Sequence, residues 1–170
     1  DFSSDGKRNG IPWLGMRLSE ISQLDSALVV GSFLRKDHPL FAQRLRQLAK
    51  GSGKVSLLSV TADDPLIALH AKLTVSPDAM PLALAGVIKA LAQIRQVAIP
   101  AGLESAIVCD QSRRIAESLT AGGSHAIFLG NVAEQSAHAS IIHALACELA
   151  RMSGARVGFI GEAANSVGGY

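Results

Sequence analysis

The stretch SALVVGSFLRKDHPLFAQRLRQLAKGSGKVSLLSV, residues 26–60, decides the fold. Residues 27–32 form a continuous apolar run that ends in Gly31 and Ser32. They lack the polar alternation of a half-solvated strand, which argues for a strand buried on both faces, as in parallel sheets. A helix is expected from near Asp37 or His38, with Pro39 tolerated in its first turn. Phe41, Leu45, Leu48 and Ala49 share one face, while Gln43, Arg46 and Lys50 project outward. Gly51 is a natural C-terminal stop. Residues 54–60, KVSLLSV, read as the next strand, and a strand–helix–strand unit of this length is a βαβ crossover.

Outward from that unit the same alternation continues. Residues 1–12 are polar and read as a loop, and Leu18, Ile21 and Leu24 space a short helix with Ser19 as its cap. Asp63, Asp64 and Pro65 mark a loop, followed by a further strand near AKLTVS. Residues 78–96 read as a long helix along Leu84, Val87, Ile88, Leu91 and Ile94, in which Gly86 is a blemish costing about 1 kcal/mol against Ala. IPAG at 99–102 breaks the pattern. Beyond it come a strand at 105–109, a helix capped by Asp110 or Ser112, and a strand at 125–130. A helix at 135–152 and a strand at 156–161 complete the series. The expected fold is α/β, a mainly parallel sheet with flanking helices, Rossmann-like. Three parts are expected: residues 1–24, a first lobe at 25–100 and a second at 101–170.

Composition narrows the classes of function. With 48% hydrophobic and 18% charged residues the chain has ample material for a core, and disorder is excluded as its main state. Sixteen basic residues against fourteen acidic ones leave a net charge of +2. That is too small and too dispersed for a nucleic-acid partner. No apolar run approaches a membrane span, so no direct membrane insertion is expected. Cys109 and Cys147 are far apart and are expected to be buried free thiols. Two isolated thiols do not build an iron–sulfur or structural zinc site.

Candidate chemistry gathers at the strand ends. Gly31, Gly130 and Gly161 each close an apolar run, and open α/β sheets bind ligands in the crevice beyond such ends. Gly31 would let a phosphate approach the backbone, the start of the next helix would favour an anion, and Arg35 and Lys36 would add charge. Yet the glycines do not spell G-x-G-x-x-G, and GSGK at 51–54 joins a helix to a strand, the reverse of a phosphate loop. The five histidines, His38, His70, His125, His138 and His143, contain no i, i+4 pair and are expected to face solvent or cap helices. Asp63 and Asp64 are ordinary turn residues, and no G-x-S-x-G elbow is present. No catalytic residue and no metal ligand is assigned.

The residues 24–60 together with FLGNVAEQSAHASIIHALACELARMSGARVGFIGEAANSVGGY at 128–170 carry a family resemblance. They resemble the large iron–sulfur subunit of bacterial NADH–quinone oxidoreductase, respiratory complex I, in its molybdopterin-oxidoreductase-like region. The resemblance spans about residues 13–170, most specifically at GEAANSVGGY, residues 161–170. Molybdenum-containing members of that fold hold a pterin dinucleotide with a Gly-x-Asn-Pro loop after the first strand and an Asp-Pro-Arg after the next. Here Phe33 stands where the asparagine belongs, and Ser59, Val60 and Thr61 end the second strand without the aspartate. A guanine end would find no specific partner there.

The resemblance therefore implies a frame without its ligand, built from Gly31, Ser32, Phe33, Arg35, Gly130, Asn131, Asn165 and Gly168. It implies a structural and interaction segment of a longer subunit, cut at Asp1 and Tyr170. No cofactor is expected in the segment, and the iron–sulfur clusters are expected elsewhere on the full-length subunit. The implied partners are the other subunits of complex I, peripheral on the cytoplasmic side of the bacterial inner membrane. Two alternatives stand beside it. One is an active molybdopterin- or nucleotide-binding oxidoreductase domain. The other is a stand-alone NAD-binding module, which would need an acidic residue where Ser59 and Val60 lie.

Overall fold

The structure, a computed structural model, describes residues 13–161. A 3-10 turn at Leu18–Gln23 leads into strand β1, Ser26–Val30. Helices α1 (Leu34–Asp37) and α2 (Pro39–Lys50) follow, then β2 (Lys54–Ser59) and β3 (Ala71–Thr74). Helices α3 (Met80–Arg95) and α4 (Asp110–Ser118) connect to β4, His125–Leu129. Helices α5 (Asn131–Glu134) and α6 (Ala139–Ser153) lead to β5, Arg156–Phe159.

The five strands make one parallel sheet in the order β3-β2-β1-β4-β5. The fold is α/β and Rossmann-like. The halves on either side of residues 99–102 share this sheet, because β1 pairs with β4 from Ser26 opposite His125 to Val30 opposite Leu129. β1 is buried throughout, and its side chains alternate between two cores. Leu28 and Val30 face α3, α4 and α6 through Leu84, Ile88, Ile115 and Leu149. Ala27 and Val29 face α2 through Phe41, Leu45 and Leu48. The apolar stripe read along α2 is thus the one that seals the second face, where Phe41 meets Phe128 edge-on at 4.9 Å.

Several local readings are corrected. Residues 105–109 form no strand. Both neighbours of β1 are already taken by β2 and β4, and this run lies instead across α3, with Ile107 85% exposed. The Lys89 ammonium holds it there by donating to the Glu104 and Ala106 carbonyls. Gly86 is the reason it lies so close, since a Cβ there would collide with the Ile107 carbonyl oxygen. The supposed blemish is a contact point. The helix read at 135–152 begins only at Ala139, after the short α5 and a turn. The long helix begins at Met80 rather than Asp78, after a 3-10 turn at Pro77–Ala79.

The cap assignments also shift. Ser19 does not cap the first turn, where the Glu20 carboxylate accepts the Arg17 N–H at 2.7 Å. Cys109 caps α4: its sulfur accepts the Ser112 N–H at 3.4 Å while the Ser112 hydroxyl accepts the Cys109 N–H at 2.9 Å. Both cysteines are exposed rather than buried. Their positions on helix α6 and at the start of α4 face outward, a matter of helix phase that the apolar neighbours disguise. Residues 1–12 and the glycine-bearing tail at 162–170, with Asn165 and Gly168, lie outside the described residues.

Candidate functional site

The sheet order has a switch point. From β1 the chain moves outward to β2 and β3, then crosses to β4 and β5 on the other side. A ligand crevice is therefore expected between the loops that follow β1 and β4. The frame residues Gly31, Ser32, Gly130 and Asn131 converge there. Gly31 adopts φ +62, a left-handed conformation that glycine takes without steric cost.

That crevice is filled by the chain itself. The Gly31 carbonyl accepts the Val132 N–H at 2.9 Å and the Ala133 N–H at 3.4 Å. These are the free N–H groups in the first turn of α5, the ones an anion would otherwise use. The fit is tight on both sides. A Cβ on Gly31 would lie 2.6 Å from the Ala133 nitrogen, and one on Gly130 would lie 2.5 Å from the Ser32 Cβ. Gly130 in turn donates its N–H to the Val30 carbonyl at 2.9 Å.

A side-chain network locks the same place from the helix side. His38 breaks the helix between α1 and α2 and is buried. Its Nε2 lies 3.1 Å from Asn131 Oδ1, and Asn131 Nδ2 donates to Asp37 Oδ2 at 3.4 Å. Burial lowers the His38 pKa below its ordinary value, against the raising effects of the Asn131 bond and the Asp37 charge. A neutral imidazole thus ties the β1 side of the switch point to the β4 side.

A cleft of about 340 Å³ remains beside it, between α1 and the loop after β2. Phe33, Arg35 and Lys36 line one wall, and Ser59, Thr61 and Asp63 the other. Its size suits a small ligand, and several of its polar groups are bonded within the chain. Arg35 Nη1 donates to the Asp64 carbonyl at 3.3 Å, and Asp64 Oδ1 accepts the Leu66 N–H at 2.8 Å. Ser59 Oγ accepts the Thr61 N–H at 3.2 Å. Ser32 Oγ is buried without a hydrogen-bond partner among the described residues. At α5 the first-turn N–H groups that an anion would use are taken by the Gly31 carbonyl, and the Phe33 side chain carries no hydrogen-bonding group.

The histidines divide differently from the expectation that all would face solvent or cap helices. His38 and His125 are buried, the latter 2.7 Å from Ser26 Oγ through its Nδ1, where β1 and β4 meet. His70 faces the Arg114 carbonyl at 3.3 Å and His138 faces Asp78 at 3.7 Å. The sequence does not reveal the His38–Asn131–Asp37 network, because it joins positions more than ninety residues apart. The only local signal is a histidine directly before Pro39, where helical backbone is disfavoured.

An apolar groove of about 350 Å³ lies behind the network, lined by Leu14, Leu18, Leu40, Phe41, Phe159 and Ile160 among others. Leu40 is 71% exposed and Trp13 55%. Among the described residues no helix is long and apolar enough to cross a membrane. No protein-family model matches the chain, and no curated protein does.

Proposed function

We propose that the chain is a structural and interaction segment of the large iron–sulfur subunit of bacterial NADH–quinone oxidoreductase, a nucleotide-fold frame that binds no cofactor itself. The parent enzyme passes electrons from NADH through iron–sulfur clusters to quinone, and in this reading the clusters lie elsewhere on the full-length subunit. The observation that carries the reading is the Gly31 carbonyl on the first N–H groups of α5. A dinucleotide site needs those groups free, and here a backbone contact with no room for a Cβ uses them.

The role left for the segment is packing against neighbouring subunits. The groove beside Leu40 and Phe159 supports it, because exposed apolar side chains clustered around a concavity are the usual mark of a protein contact. The complex would place the segment peripherally on the cytoplasmic face of the inner membrane. The test is to tag the gene product at its own locus, extract the membranes gently and purify the tagged species. The reading expects NADH–quinone oxidoreductase activity and iron–sulfur absorbance to co-purify, and Leu40→Asp to reduce that yield. A tagged species that purifies alone, with no cysteine clusters encoded in its own reading frame, would overturn it.

A further inference from the structure

The cleft between α1 and the loop after β2 lies beside the filled switch point, and its charges are divided by wall. Ser32, Leu57 and Ser59 are buried and form its floor. Its rim is exposed and split by sign, with Arg35 and Lys36 on α1 and Asp63 and Asp64 on the loop. The loop is held in place through its backbone. Arg35 Nη1 donates to the Asp64 carbonyl at 3.3 Å, and the Lys72 ammonium donates to the Asp63 carbonyl.

Three polar groups of the cleft are left over. Among the described residues neither the Lys36 ammonium nor the Asp63 carboxylate has a hydrogen-bond or ion-pair partner. The Ser32 hydroxyl on the floor has none either. A buried hydroxyl without a partner costs stability, and such a group calls for a reason. A bond to something outside the chain supplies one.

The charges select the kind of ligand. A phosphate or other pure anion would meet Asp63 and Asp64, and a pure cation would meet Arg35 and Lys36. A molecule carrying one charge of each sign satisfies both walls. Between them Phe33, Leu57 and Pro65 offer apolar surface, and about 340 Å³ lies at the small end of ligand pockets. We propose that this cleft binds a free α-amino acid with an apolar side chain. Its carboxylate lies at the α1 wall, against Lys36 and Arg35, and accepts the Ser32 hydroxyl. Its ammonium faces Asp63, and its side chain rests on Leu57 and Pro65. The Ser32 hydroxyl is covered by the chain itself, so binding includes a turn of its χ1 between staggered positions.

Isothermal titration calorimetry of the full chain with L-leucine and with L-phenylalanine is the test. At least one of them should give saturable heat at about one ligand per chain. Isocaproate lacks the ammonium of leucine and isoamylamine lacks its carboxylate, so each should bind more weakly by about tenfold or more. Ser32→Ala should weaken binding by about tenfold while stability rises, and a stabilised variant has not lost the site by unfolding. Lys36→Gln and Asp63→Asn, at the exposed rim, should each weaken it by about two- to fivefold. Lys50→Gln, the same change of charge at the end of α2, should leave it unchanged. No saturable heat from either amino acid, binding of isocaproate or isoamylamine as tight as theirs, or full affinity in Ser32→Ala would each overturn the proposal.

Discussion

Replacing Gly31 by alanine tests the closed switch point where it is tightest. Two costs add. An alanine held at φ +62 is strained by about 1–2 kcal/mol. Its Cβ would also sit 2.6 Å from the Ala133 nitrogen, a backbone atom that cannot turn aside. The start of α5 must then move and lose the bonds that the Gly31 carbonyl accepts from Val132 and Ala133, each worth about 1 kcal/mol. Together the loss comes to roughly 3–4 kcal/mol, a large part of an ordinary domain's stability. At about 2–4 °C per kcal/mol for a chain of this size, Tm should fall by roughly 6–16 °C. Gly154→Ala is the control, because Gly154 has φ +78 but nothing within 4 Å of its Cβ position. It should cost only the backbone strain. Urea denaturation of both variants gives the difference directly. If Gly31→Ala costs no more than Gly154→Ala, the α5 contact is not packed as described and the argument for a filled crevice collapses.

Three further outcomes follow from particular groups. Ser32→Ala should raise stability by about 1 kcal/mol in a urea melt, since it removes a buried hydroxyl with no partner among the described residues; a loss of that size would reveal a partner for it. His38 has a lowered pKa in the folded state, so the unfolded chain takes up its proton first as pH falls. Stability should be full above 6.5, the unfolded value, and decline as pH drops from there through the folded value. His70, also lowered chiefly by burial, acts in the same direction, so the difference between wild type and His38→Gln isolates His38. An unchanged profile in His38→Gln would remove the neutral imidazole from the account. At pH 7, iodoacetamide should label Cys109 faster than Cys147, read by peptide mass spectrometry. Burial raises both thiols, but at Cys109 the Ser112 and Gln111 hydrogen bonds outweigh it and lower the pKa.

The sheet itself is legible in the sequence because β1 and β4 are apolar after a polar first residue, β2 holds Val55, Leu57 and Leu58, and the loops between them begin or end in glycine. Periodicity also places α2 and the body of α3 and α6. Residues 105–109 mislead because a five-residue apolar run is equally at home as a strand or as a strap over a helix. What decides between them is Gly86 and Lys89 on α3, which no local window contains. The cap on α4 is hidden because cysteine is an unusual capping residue, although Ser112 three positions on marks the helix start. The candidate site is legible as a frame but not as a filled one. Phe33 and Val60, readable in the sequence, bring apolar side chains to the ends of β1 and β2. The carbonyl of Gly31 on α5, and His38 on Asn131, are contacts across the sheet order, and that order is not written in any one segment.

Thermal denaturation with a guanine dinucleotide bears most directly on the claim that the frame holds no ligand. Any ligand bound by the native state alone raises stability as RT ln(1 + [L]/Kd), and a hundredfold excess over Kd adds about 2.7 kcal/mol. The filled switch point predicts a Tm that does not move at millimolar ligand. A rise that grows with the logarithm of ligand concentration, in the wild-type chain, would contradict it.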